Sequence, residues 1–179
     1  MMDTVDRKTR SRIMASVGQH DTQPEICLRR ILHRRGLRYR LHDRSLPGSP
    51  DLVFPRFNAV LFVHGCFWHA HDGCKFATKP SSRKEFWSEK FEANRKRDRR
   101  NYDALVASGW RVLVVWECAI KGLKEDELNR LGETVWRWLK SDSGYGEIMG
   151  NHGTPMKQAS PLSSGNHHVD SKSKSENTR

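Results

Sequence analysis

The chain has no apolar run long enough to matter to a membrane. Stretches such as Ala59 to Val63 are far short of the ~20 residues that cross a bilayer, and the polar N-terminus lacks the apolar core of a secretory signal. Cysteine is scarce: four residues, at 27, 66, 74 and 118, are too few for a disulfide scaffold in 179 residues, which turns attention to metal binding or plain burial. There is no Gly-X-Y period, sustained heptad or internal repeat, which excludes collagen, coiled coil and repeat arrays. The expectation is a globular, cytoplasmic protein.

Negative charge is also in short supply, with 21 Asp plus Glu against 32 Lys plus Arg, a net charge of +11. Residues 141 to 179 carry Lys157, Lys172, Lys174 and Arg179 against Asp142, Glu147, Asp170 and Glu176 and so sum to zero. The whole excess therefore lies in the first 140 residues. A basic domain of that size favours a polyanionic partner, because each neutralised phosphate releases counterions, and nucleic acid is the expected class.

The polar, Ser- and Gly-rich stretch from Ser141 onward cannot bury enough surface to offset its ordering entropy, so disorder is expected over 141–179. Residues 1–19 are basic, with few apolar anchors, and read as an arm that orders on a partner. Residues 20–140 remain for one domain. Within them, Thr22 and Glu25 are spaced as a capping box, with Pro24 in the first turn, Cys27, Leu28, Ile31 and Leu32 as an apolar face and Gly36 as a stop. The alternation of Leu37, Tyr39 and Leu41 predicts a half-buried strand, and Asp51 to Phe54 and Ala59 to Val63 predict adjacent central strands. A second capping box, Ser82 and Glu85, opens a charged helix from Phe86 to about Leu105. Trp110 to Trp116 reads as a buried strand, and Leu128, Leu131, Val135, Trp138 and Leu139 as an amphipathic helix blemished by Gly132. Helices flanking apolar strands imply an α/β layered domain.

Chemistry is concentrated in His64-Gly65-Cys66-Phe67-Trp68-His69-Ala70-His71-Asp72-Gly73-Cys74, at the end of a predicted strand. Cys66, His71 and Cys74 lie close enough for a loop to wrap one ion, and Cys118 ends another strand. Three thiolates and one imidazole suit tetrahedral zinc, which they would saturate, making the site structural. Cys27, on an apolar helix face, is expected in the core. His64, His69 and Asp51 then remain at strand ends. A carboxylate that holds magnesium and imidazoles that move protons are what phosphodiester hydrolysis needs. Spacing equally allows Asp51 to be a turn residue and either histidine to be a zinc ligand or a surface group. Phe67, Trp68 and Trp87 could wedge into a base stack or roof the zinc loop. The basic run Asn94 to Arg100 is a solvated face or a phosphate contact.

Taken in order, Ser45 to Asp51, the His64 to Cys74 cluster, Glu85-Phe86-Trp87, Arg97-Asp98-Arg99-Arg100 and Gly109 to Ala119 resemble the very short patch repair (Vsr) DNA mismatch endonucleases over roughly residues 3 to 140. The resemblance implies a restriction-endonuclease-like mixed sheet flanked by helices, a structural zinc, and magnesium-dependent nicking 5′ of the thymine in T:G mismatches left by 5-methylcytosine deamination. Residue by residue, it implies that Asp51 binds magnesium, His69 is the water-activating base, His64 assists at the phosphate and Glu25 supports the waters around the cation. Phe67, Trp68 and Trp87 would wedge beside the mismatch, Met14 would clasp the opposite groove, and zinc would sit on Cys66, His71, Cys74 and Cys118. A monomer acting on double-stranded DNA, with contacts to other repair proteins, is expected in the bacterial cytosol or nucleoid. A double-strand-cutting restriction enzyme and a non-catalytic zinc-stabilised DNA-binding module are the alternatives. The chain departs from the family it resembles in placing two residues, Asp72 and Gly73, between His71 and Cys74; Val63-His64-Gly65 stands where restriction-type sites carry Asp/Glu-x-Lys, in keeping with that family.

Overall fold

The structure, a computed structural model, describes Thr9 and residues 20–150; the arm around Met14 and residues 151–179 lie outside them. Helix α1 (Gln23–Arg34) begins as its sequence signals: the Thr22 N–H donates to Glu25 Oε2 at 3.3 Å. It stops at Gly36, whose φ of +79° lets Gly36 N–H reach the His33 carbonyl and Leu37 N–H reach that of Leu32, the paired bonds of a Schellman motif. Strands β1 (Arg40–Leu41), β2 (Leu52–Phe54) and β3 (Ala59–His64) follow, then α2 (Lys84–Ala107), β4 (Arg111–Trp116), α3 (Glu125–Lys140) and β5 (Tyr145–Ile148). No helix among the described residues is long and apolar enough to cross a membrane.

The five strands make one mixed sheet in chain order. β1–β2 and β2–β3 are antiparallel, while β3–β4 and β4–β5 are parallel, as crossover through α2 and α3 requires. Alternation along the strands sorts the core into two layers. Leu52, Phe54, Ala59, Leu61, Leu113 and Val115 pack with α1 and α3; Val53, Val60, Phe62, Val112 and Val114 pack with Leu105 of α2. Cys27 is half-buried against the first layer.

Four expectations need correction. Tyr145–Ile148 fall within the stretch expected to be disordered, yet form β5: Gly146 and Ile148 turn inward while Tyr145 Oη donates to Glu147 Oε1 at 2.5 Å on the other face. A four-residue strand gains its order from the neighbour it pairs with rather than from its own apolar content. Gly132 is no blemish, because a Cβ there would lie 2.5 Å from Ile31 Cγ2, and its bareness lets α3 close on α1. Ser82 does not cap α2, which starts after Arg83 in the left-handed region with no side-chain cap. The strand expected over Leu37 to Leu41 shrinks to two residues with Leu41 exposed.

β5 is tied down at its exit as well, where Gly150 N–H donates to Cys118 Sγ at 3.3 Å and a Cβ on Gly150 would stand 2.2 Å from the Cys118 carbonyl oxygen. Gly150→Ala should therefore destabilise the domain by about 1–3 kcal/mol through forced overpacking, read as a lower urea midpoint with unchanged m-value; an unchanged midpoint would remove this tether from the account.

Candidate active site and metal centre

The strand register places the polar groups. His42 N–H donates to the Asp51 carbonyl at 3.3 Å, so these two residues face each other across β1 and β2, and Asp51 Oδ2 accepts Val63 N–H at 2.7 Å from the end of β3. By the period-two rule His64 shares its face with Val60 and Phe62, toward α2. Asp51 and His64 thus emerge from neighbouring strand ends. Burial pushes the Asp51 carboxyl up, opposed by the Val63 N–H and the charges of Arg29, His20 and His69.

After β3 the chain winds into a tight loop, with His69 N–H bonded to the Gly65 carbonyl and His71 N–H to that of Cys66. Ala70, at φ +46°, separates two histidines sent to different sites. His69 stacks on His64, ring centroids 3.6 Å apart, and its Nδ1 lies 2.6 Å from Asp98 Oδ2 on α2. Burial raises the Asp98 carboxyl, but the hydrogen bond and charge of His69, with His64 and Arg97, outweigh it and hold Asp98 below the ordinary carboxylate range. Burial and the adjacent His69 hold His64 well below the usual imidazole range, so it is neutral near pH 7. Tyr102 Oη, 3.3 Å and 3.2 Å from the two ring nitrogens, completes its surroundings.

Asp98 is a site residue that sequence reasoning passed over. It hides in the basic run Arg95 to Arg100, but Phe91, Asn94, Asp98, Tyr102 and Leu105 are spaced three and four apart on one face of α2. That row is apolar at both ends and polar where it crosses the site. Asn94 Nδ2 holds the Trp68 carbonyl at 2.9 Å. His42 and Arg29 were passed over too.

Glu25 is 98% buried one residue further out. Its Oε1 is bonded to Arg29 and lies 3.2 Å from His42 Nε2, and its partner oxygen is the helix cap. It approaches Asp51 through His42, whose Nδ1 stands 3.8 Å from Asp51 Oδ1.

The ligand atoms of Cys66, His71, Cys74 and Cys118 all lie within 4.8 Å of one another. His71 Nδ1 is 3.5 Å from Cys66 Sγ and 3.4 Å from Cys118 Sγ, close to the edges of a tetrahedron built on ~2.0–2.3 Å bonds. The indole of Trp116 stacks on the His71 ring at 4.0 Å. Burial pushes the Cys66 and Cys118 thiols up. Three sulfurs and one imidazole fit a soft or borderline divalent ion and leave it no open position. The two-residue Asp72-Gly73 spacing does not keep Cys74 from the cluster.

Phe67 packs edge-on against Trp68 and Trp87, both at 5.2 Å, and Phe91 at 5.4 Å. Phe67, Trp68 and Trp87 are half-buried and neighbouring Phe86 is exposed, so a cluster that roofs the loop also presents aromatic edges to solvent.

The chain is similar to known DNA mismatch endonucleases and nicking enzymes. The model of a family described as DNA mismatch endonuclease Vsr matches residues 2–75. The type II nicking enzyme V.XorIIP of Xanthomonas oryzae pv. oryzae is 50% identical over 123 residues, covering 69% of this chain and 90% of the relative. The DNA mismatch endonuclease Vsr of Escherichia coli (strain K12) is 41% identical over 148 residues, 83% of this chain and 94% of the relative. The type II nicking enzyme V.NmeAIP of Neisseria meningitidis is 38% identical over 133 residues, 73% of this chain and 94% of the relative.

Proposed function

The chain belongs to the Vsr family of DNA mismatch endonucleases, DNA-cleaving hydrolases, and from that premise we propose that it nicks one strand 5′ of the thymine in a T:G mismatch, initiating very short patch repair. Strand nicking is supported by relatives named as nicking enzymes. Magnesium is the proposed cofactor at Asp51, whose Oδ1 is a hard oxygen donor left open when Oδ2 takes the Val63 N–H. A divalent cation bound there supplies positive charge to the scissile phosphate.

The observation that carries this reading is the His64–His69–Asp98 stack beside Asp51. Two imidazolium rings 3.6 Å apart would repel each other, so one of the pair carries charge at most. Asp98 orients His69 as the proton acceptor of the pair. With Nδ1–H donated to Asp98, the Nε2 lone pair of His69 is free to take a proton from attacking water, and the carboxylate stabilises the resulting imidazolium. Neutral His64, held by Tyr102, offers one N–H for a phosphate oxygen. Glu25 positions His42 and Arg29 behind Asp51. Zinc on Cys66, His71, Cys74 and Cys118 keeps the loop that carries His69 in place.

Phe67, Trp68 and Trp87 serve as the wedge beside the mismatch, and the arm at residues 1–19, with Met14, lies across the opposite groove. The enzyme domain extends over 20–150, five-stranded with β5, and acts as a monomer in the bacterial cytosol or nucleoid.

The test is Asp98→Asn, which keeps shape but loses the charge that orients His69. Single-turnover nicking of a T:G duplex should fall roughly 10²-fold, the low end of what a positioned acid or base contributes, with duplex affinity unchanged. A rate within about twofold of the parent, against that scale, would remove the relay. Trp68→Ala should lose more nicking on a paired T:G duplex than on one already unstacked at that step, since unstacking costs a few kcal/mol. Equal losses on both would leave the aromatics as a roof alone.

A further inference from the structure

We propose that His20, His42 and Asp51 form an additional, nitrogen-rich metal site at the ends of β1 and β2, suited to a borderline transition-metal ion such as Zn(II) or Co(II). Their ligand atoms all lie within 4.8 Å of one another, and the His20 and His42 rings are 4.4 Å apart, tilted by 57°. The independent observation is an orphan atom. His42 Nδ1 is buried with no hydrogen-bond partner and faces Asp51 Oδ1 at 3.8 Å. That distance is too long for a hydrogen bond, yet it is within the ~3–4 Å that two donors take around one ion at ~2.1 Å bond lengths.

The surroundings are those of a supported metal ligand. Imidazole ligands usually donate their second ring N–H to a carboxylate, and His42 Nε2 has Glu25 Oε1 at 3.2 Å for that purpose. In the present arrangement Arg29 reaches His42 Nε2 at 2.6 Å. Loading the ion at Nδ1 places the ring proton on Nε2, where Glu25 accepts it, so the Arg29 contact opens while Arg29 keeps Asp21 at 2.5 Å. Two imidazoles and one carboxylate favour zinc, cobalt or nickel over magnesium. The register explains the pairing: His42 and Asp51 sit opposite each other across two antiparallel strands, and His20 approaches from the entry to α1.

A functional consequence follows, and it rests on the assignment of magnesium to Asp51. Oδ1 is the carboxylate oxygen that both ions need, because Oδ2 is engaged by Val63. A transition-metal ion held by the two histidines should therefore displace magnesium and inhibit nicking.

The experiment begins with full-length protein whose Cys66–His71–Cys74–Cys118 site is already filled with zinc, titrated with Co(II) and followed by visible absorption. One further equivalent should bind with weak d–d bands and no thiolate charge-transfer band. It should be lost in His42→Gln and in His20→Gln, the latter an exposed position outside the buried core. Each protein's own magnesium-supported nicking is then measured against added Zn(II), and the midpoint of inhibition should rise about 10- to 100-fold in the variants, the scale on which lost metal-site partners act. No further equivalent, or one that persists in both variants, overturns the site. Binding lost in the variants but without any effect on nicking in the parent leaves the site standing and instead sinks the placement of magnesium on Asp51.

Discussion

Replacement of Asp51 by asparagine should lower nicking of a mismatched duplex by ~10³-fold or more, because an ion at the phosphoryl oxygen contributes several kcal/mol and each ~1.4 kcal/mol is a factor of ten in rate. The substitution is nearly isosteric. Its amide oxygen can still accept the Val63 N–H that ties β2 to β3, so the strand end keeps its shape while the charge disappears. Duplex affinity should survive, since the excess positive charge of the first 140 residues is untouched. Single-turnover rates alongside gel-shift binding separate the two quantities. Loss of binding in parallel with nicking would make Asp51 a DNA contact, and retention of nicking would move the cation elsewhere.

Removing the ion proposed for the Cys66, His71, Cys74 and Cys118 cluster should cost several kcal/mol, a large part of the roughly 5–15 kcal/mol that holds an ordinary domain together. The four ligands join the loop after β3 to the turn after β4, and Gly150 adds the exit of β5 through Cys118. Chelation should therefore unfold more than a loop. The pH dependence has a definite sign. Ligation requires thiolates, whereas burial alone raises the Cys66 and Cys118 thiols. Loading should thus release protons, and occupancy should be complete near neutrality and lost as the pH falls. Cys118→Ser should lower the melting temperature and release about one zinc per chain, as a closed four-ligand site implies. A fully stable protein that elemental analysis finds free of metal would contradict the cluster's role.

What could be read from the sequence, and what could not, follows from the range of the interactions involved. The strands β3 and β4 were legible because both faces are buried, so that Val60 to Val63 and Val112 to Val115 are continuous apolar runs. The start and stop of α1 were legible because capping is local chemistry. The convergence of Cys66, His71, Cys74 and Cys118 could be anticipated because loop cysteines at strand ends have little reason to be there otherwise. β5 was not legible: two inward residues, Gly146 and Ile148, carry no periodic signal, and its order comes from pairing with β4. Asp98 was masked by the arginines around it, although the row from Phe91 to Leu105 on α2 marks it as inward. His42 was invisible for a different reason. Its significance depends on a cross-strand register with Asp51 that spacing along the chain does not encode. Gly132 looked like a flaw in α3 because its neighbour, Ile31, is 101 positions away.

The most direct test of the whole account is a strand-specific assay on an end-labelled duplex carrying a single T:G pair, with the fully matched T:A duplex alongside. Protein stripped of magnesium should be inactive on both, and magnesium added back should restore one nick, on the thymine strand and immediately 5′ of the mismatched thymine, with the opposite strand and the matched duplex left intact. Cleavage of both strands, or nicking that is indifferent to the mismatch, would contradict it.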